Sequence, residues 1–245
     1  MLRMMRTAVL VAAACLAPAA AYDNGAPHSR LPALGWSSWV ALGPGDEHPV
    51  FDYCDENSVK AAADAFMEVG LYEAGYRHLH LDDCWAAKER NATGFPYPEI
   101  DHFPNGMKPV IDYVHAKGDE GDKLVFGLYT CGGTKTCVGG RVGSENHWTQ
   151  DAQAYAEWGV DWVKMDWCNS APQDPKETYP KMGKALNESG RHIAFNMCEW
   201  GKENPWEWGD ACAQSWRATG DHTGTWSSTK GIISQVRSER KHNGK

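Results

Sequence analysis

The sequence lacks the marks of a nucleotide- or metal-dependent protein. No G-x-G-x-x-G follows its first β-rich run, and no P-loop occurs anywhere, so nucleotide folds lose support. It has 10 histidines but no H-x-x-x-H or H-E-x-x-H pair, and no loop with calcium-type acidic spacing. Positive charge is scarce: Lys and Arg number 24 against 32 Asp and Glu, giving a net charge of −8 and a pI near 5.7. That balance argues against nucleic acid or an anionic membrane as the main partner. Nothing in the chain calls for a cofactor or a resident metal. Long apolar runs are missing as well. The N-terminal stretch 7–16 is apolar, follows Arg3 and Arg6, and ends in small residues near Ala21. It predicts a secretory signal over 1–21, too short to span a bilayer.

What is present fits an exported α/β protein. The chain has 245 residues, the length of one large domain or two small ones, and no low-complexity linker divides it. The expected division is a signal at 1–21 and one domain over 22–245. Export makes disulfides possible. With Cys15 removed in the signal, 7 cysteines are left of 8, an odd number that leaves one unpaired. Two acceptor sequons, at Asn91 and Asn187, suit the same route. The 12 Trp residues are many; half suit core packing and half suit stacking on sugar faces.

Short β-rich runs alternate with helical patterns. Strands are predicted at 31–39, 76–83, 124–130, 160–166, 192–198 and 215–221, and helices at 55–75, 107–118, 146–159, 179–190 and 205–213, with a last one from Trp226. Strict alternation implies parallel strands, in a Rossmann-like sheet or a (β/α)₈ barrel. Nearly every strand ends in polar or charged residues, and a barrel gathers such ends around one mouth. The barrel is the better reading, with about six of its eight units visible. The final SERKHNGK is polar and unlike the rest, as a solvated terminus or a wrongly ended reading frame would be.

Acids and Trp at a barrel mouth point to glycoside hydrolysis, which needs one carboxylate as nucleophile or base and another as proton donor. Asp166 ends an apolar strand two residues after Lys164, whose charge is expected to lower its pKa. Asp221 lies in a Gly-flanked loop suited to an acid/base. Asp82 and Asp83, adjacent at the end of the second strand, point to its opposite faces, so only one of them is suited to catalysis; binding hydroxyls or pairing with Lys164 or Arg217 is the expected task. Glu199 is a fifth candidate. The residues themselves leave these alternatives open. His78 and His80, two apart on one strand face, are a possible metal pair, with packing or hydrogen bonding at the strand end the plainer explanation.

The ordered motifs LGWSSW, LDDCW, FPNGMKPVIDYVHAKG, GLYT, WGVDWVKMDWCN, MCEWGKENPWEWG and SWRATGD resemble glycoside hydrolase family 27 over residues 31–230. The resemblance implies a TIM barrel and a retaining enzyme, with Asp166 as nucleophile and Asp221 as acid/base, their carboxyls roughly 5–5.5 Å apart. It implies that Asp82, Asp83, Lys164 and Arg217 hold galactose hydroxyls, that Trp39 and Tyr129 line the pocket, and that Cys137 and Cys168 lie at its mouth. Disulfides Cys54–Cys84, Cys137–Cys168 and Cys198–Cys212 are implied, leaving Cys131 free. Glu199 and Trp200 look like the α-galactosidase version of the specificity loop, their bulk excluding the 2-acetamido group of an α-N-acetylgalactosaminidase substrate. The implied partners are α-galactosides: oligosaccharide, polysaccharide or glycolipid. The implied destination is extracellular, vacuolar or lysosomal.

The chain also departs from that pattern. The family barrel has two more strands and a C-terminal β domain, both absent here, so a barrel truncated after about six units is expected. A truncated gene model, a fragment or a shortened paralogue would each account for this. A non-catalytic galactose-binding or misfolded product is therefore the rival to an active enzyme. GDEGDKLVFG is expected to be a looser helix-to-strand connection away from the mouth.

Overall fold

A computed structural model describes residues 23–41 and 54–239. The expected signal at 1–21, with Cys15, and most of the tail lie outside them. Six strands form one sheet: β1 (Gly35–Ser37), β2 (His78–Leu81), β5 (Val125–Cys131), β6 (Trp162–Asp166), β7 (Ala194–Cys198) and β8 (Ser215–Trp216). They lie in chain order and every neighbouring pair is parallel. The sheet curls into half a barrel. Between its strands run α1 (Ser38–Ala41), α2 (Glu56–Glu68), α3 (Met107–His115), α4 (Trp148–Trp158) and α5 (Pro175–Glu188), with α6 (Trp226–Glu239) last.

The boundaries follow local chemistry. Asp55 caps α2 by accepting the Ser58 N–H at 2.7 Å, as a residue before a helical run does. Asp174 caps α5 with Pro175 behind it, so this helix starts four residues before the predicted Tyr179. Strand one is only three residues long, because WSSW turns into α1. The stretch 205–213 is two 3₁₀ turns instead of one helix.

The GDEGDK connection is a small antiparallel hairpin, β3 (Gly118–Asp119) with β4 (Asp122–Lys123). The Tyr72 hydroxyl donates to the Asp122 carbonyl at 2.8 Å and accepts the Asp119 N–H at 2.9 Å, while Arg77 Nε donates to the Asp122 carboxylate at 2.8 Å.

Strand alternation divides the sheet into two chemistries. Leu79, Leu81, Phe126, Leu128, Val163, Met165, Phe195 and Met197 belong to a buried core with Phe66, Ile111, Val114, Tyr155, Tyr179 and Met182 of the helices. The residues between them, including His80, Tyr129, Lys164, Asn196 and Cys198, point the other way, toward the barrel interior. Gly127 makes this inner layer possible, since a Cβ there would sit 2.5 Å from His80 Nδ1.

At the opposite end of β6 from Asp166, buried Asp161 clamps three elements. Its carboxylate accepts from the Phe126 N–H at 2.8 Å and from His115 at 2.7 Å, and it also pairs with Arg191. Burial opposes ionisation, but these partners outweigh it and lower the Asp161 pKa. A depressed carboxylate adds stability above its unfolded pKa near 3.9 and loses it as pH falls through the folded value. Asp161→Asn should therefore cost about 2–3 kcal/mol at pH 7, below the usual range for a broken buried pair because Arg191 is part-exposed. In thermal melts the difference from the parent protein should shrink below about pH 4.

Candidate active site

The inner layer and the loops beyond the strand ends enclose a cleft of about 210 Å³. That is below the roughly 300–1,000 Å³ of a drug-sized pocket and suits a single sugar ring. It is lined by Trp39, Asp82, Asp83, Tyr129, Cys137, Lys164, Asp166, Cys168, Trp200, Arg217 and Asp221. Of the expected site residues, Glu199 alone is outside the lining.

Asp82 and Asp83 follow β2. The Asp82 N–H donates to Ser38 Oγ at 2.9 Å, and Lys164 Nζ donates to Asp82 Oδ2 at 2.7 Å. Burial would raise the Asp82 pKa, but hydrogen bonding from His80 and the charge of Lys164 hold it well below the usual carboxylate range. Asp83 has no such cation. Burial, against a compensating bond from the Val138 N–H at 2.8 Å, pushes its carboxyl up to about 7. The expectation that these neighbours face apart is corrected. The strand ends at Leu81, so alternation no longer applies and both acids line the cleft.

Asp166 is the last residue of β6. Its Oδ1 accepts the Trp167 N–H at 2.9 Å and its Oδ2 the Tyr129 hydroxyl at 3.3 Å. The expected lowering of its pKa does not occur. Burial raises it and outweighs the charge of Lys164, whose ammonium is committed to Asp82. Asp221 differs sharply. Its side chain is 88% exposed and pairs through Oδ1 with Arg217 Nη2 at 2.9 Å.

The specificity loop is rearranged relative to expectation. Glu199 is buried and turned back, accepting the Gly201 N–H at 3.0 Å and the Glu203 N–H at 2.8 Å, so it braces its own loop. Trp200, with a left-handed φ of 64°, reaches the cleft instead.

Among the described residues two disulfides are present, Cys54–Cys84 and Cys137–Cys168, the second bridging the loops after β5 and β6. The expected Cys198–Cys212 bridge is not formed, and both thiols are buried and free, as is Cys131. Successive strand residues face opposite sides. Cys212 packs against Met197 on the helix side, 3.7 Å between sulfurs, while Cys198 faces inward beside Arg217.

Among the described residues, one group has metal-like proximity: Cys137, Cys168 and Asp166, within 4.8 Å of one another. Its sulfurs form a disulfide and supply no thiolate. His78 and His80 do not converge on a metal. His78 packs edge-on to His28 and Trp162, and His80 lies 3.3 Å from Asp82.

The family model for alpha galactosidase A (Melibiase_2) matches residues 31–243. This chain belongs to glycoside hydrolase family 27. It is 42% identical over 198 residues to alpha-galactosidase A of Cellvibrio japonicus, covering 81% of this chain and 45% of that protein. Against the alpha-galactosidase of Coffea arabica it is 43% identical over 199 residues, 80% of this chain and 49% of the relative. The crystal structure of alpha-galactosidase I from Mortierella vinacea superposes with a TM-score of 0.71 at 31% identity, covering 81% of this chain and 48% of that one. A Saccharomyces cerevisiae alpha-galactosidase solved with raffinose gives 0.70 at 33%, covering 79% and 40%. The chain thus spans about half the length of the curated relatives it matches.

Sequence reasoning missed Ser38 and Val138, which support the acid pair. The doubled serine in WSSW was the available signal for Ser38; Val138 acts through its backbone N–H and left none.

Asp83 titrates near 7 in the fold and near 3.9 unfolded, so the native state holds an extra proton between these values. Stability should fall as pH rises from about 4 to 7 and then level off. Asp83→Asn should flatten that slope in melting temperatures measured across the interval.

Proposed function

We propose that this chain is an α-galactosidase of the secretory route, acting by double displacement. The observation that carries the reading is the pairing of a buried acid, Asp166, with an exposed one, Asp221, on one sugar-sized cleft. Similarity to α-galactosidases at about 40% identity supports the substrate class. In the first step the Asp166 carboxylate attacks the anomeric carbon and the glycosidic bond breaks, while Asp221 gives its proton to the departing oxygen. In the second, Asp221 takes a proton from water, whose oxygen displaces Asp166, so the anomeric configuration is retained. Lys164, Asp82 and Asp83 offer a donor and acceptors for hydroxyls in the floor, and Trp39 a flat wall. The route through the secretory pathway, to an extracellular, vacuolar or lysosomal destination with glycans at Asn91 and Asn187, rests on the N-terminal signal pattern and the two sequons. Among the described residues no helix is long and apolar enough to cross a membrane.

Release of p-nitrophenol from p-nitrophenyl-α-galactoside tests the reading. Asp166→Asn should lower kcat on the order of 10⁴-fold. The acid limb of the parent protein's activity should lie above 3.8, since Asp166 must be ionised and its pKa is raised. The Arg217–Asp221 ion pair, which ties up the acid/base, favours a second reading: galactose binding without turnover. Calorimetric binding of galactose by a chain that releases no p-nitrophenol would establish it.

Trp200 carries the exclusion of a 2-acetamido group in this reading, because Glu199 is turned away from the cleft. Trp200→Ala should raise the ratio of p-nitrophenyl-α-N-acetylgalactosaminide to galactoside turnover by about tenfold or more.

A further inference from the structure

Cys198 contributes no disulfide, yet it stands between Asp166 and Arg217. The register of β6 and β7 places it directly beside Asp166. Arg217 Nη1 lies 3.8 Å from its sulfur, and Nη2 of the same guanidinium pairs with Asp221 at 2.9 Å. We propose that Cys198 is a positioning residue for Asp166: its thiol donates to the carboxylate while Arg217 donates to its sulfur, linking the buried acid to the arm that carries Asp221. The proposal deepens the hydrolytic reading and takes from it the role of Asp166.

The groups facing Asp166 leave this task to few candidates. Lys164 on its own strand is held by Asp82. Asp82 and Asp83 beyond β2 are acids and repel it. From β5, Tyr129 donates a long bond at 3.3 Å, and Cys131 is turned to the Cys168 carbonyl at 3.1 Å. From α5, the Tyr179 hydroxyl donates to the Met165 carbonyl at 3.1 Å. Trp167 N–H fixes Oδ1. The pairing of β6 with β7 sets the inward-facing Cys198 next to Asp166, and burial pushes this thiol up to about 12, so it keeps its proton wherever Asp166 titrates. A sulfur can accept one hydrogen bond and donate another, and here the acceptor side meets a fixed cation. Rotating the thiol away from Asp166 would break both contacts.

The test uses the whole chain with Cys198→Ser, which keeps a donor, Cys198→Ala, which removes it, and Asp166→Asn. The S–H stretching band lost in Cys198→Ser belongs to this thiol. It should shift with pH as Asp166 titrates, and that pH dependence should vanish in Asp166→Asn. In kinetics on p-nitrophenyl-α-galactoside, Cys198→Ala should move the acid limb of kcat/KM up by about half a unit to one unit, because the ionised form loses a donor. Cys198→Ser should restore it. A band indifferent to both pH and Asp166→Asn, or an unmoved acid limb in Cys198→Ala, overturns the proposal. If no variant hydrolyses substrate, the infrared result decides it alone, and the hydrolytic reading fails separately. The serine variant and Asp166→Asn keep that decision open if Cys198→Ala does not fold.

Discussion

The ion pair between Lys164 and Asp82 is the constraint on which the site depends. It joins β6 to the end of β2 across the intervening β5, passing over Tyr129, whose ring centre lies 5.0 Å from Lys164 Nζ. Both charges are largely withdrawn from water, which is tolerable only because each has the other and Asp82 is further bonded. The pair fixes the curvature of three strands at the end where the cleft opens. It also engages the lysine beside Asp166, so the burial that raises the pKa of this nucleophile candidate is only partly opposed by that charge.

The charge arrangement of the cleft follows from that engagement. Asp82, Asp83 and Asp166 are three buried carboxylates served by one half-buried lysine, with Arg217 engaged by Asp221 and Cys198. They cannot all be ionised cheaply. The structure distributes the burden unequally: Asp82 takes the cation, Asp166 takes neutral donors, and Asp83, with a backbone N–H and two acidic neighbours, holds its proton up to about 7. A protonated Asp83 can donate a hydrogen bond while Asp82 can only accept. Two adjacent identical residues thus become chemically different by surroundings alone.

Much of this was legible beforehand, for identifiable reasons. The six strands were found because each is an apolar run between helical patterns, and the cleft because polar residues sit at strand ends, where a parallel barrel gathers them. Ordered motifs then placed ten of the cleft's eleven lining residues, and the implied disulfide with Cys168 placed Cys137. What failed depended on direction rather than position. Glu199 and Trp200 are neighbours, and a left-handed φ at Trp200 decides which one enters the cleft. Cys198 and Cys212 are close in sequence, but Cys198 faces inward from β7 beside Arg217, whereas Cys212, at the end of a 3₁₀ turn, packs against Met197 on the helix side. Lys164 stands two residues from Asp166, and a partner 82 positions earlier claims its charge. None of these choices is encoded in residue type or spacing.

Loop support completes the site. The Cys137–Cys168 bridge ties the segment after β5 to the segment after β6, and both cysteines line the cleft. Next to Cys137, the Val138 N–H is the bond that Asp83 accepts. The same β5 loop is gripped from the other side, where Asn169 Nδ2 donates to the Thr136 carbonyl at 2.9 Å and the Thr134 N–H donates to the Asn169 carbonyl at 3.2 Å. Gly133 permits this approach, since a Cβ there would lie 2.2 Å from the Asn169 oxygen. The bridge is therefore more than a staple on the unfolded chain. By holding one backbone N–H against Asp83, it sets how strongly that buried acid keeps its proton, and so reaches the chemistry of the cleft through a residue that carries no functional side chain.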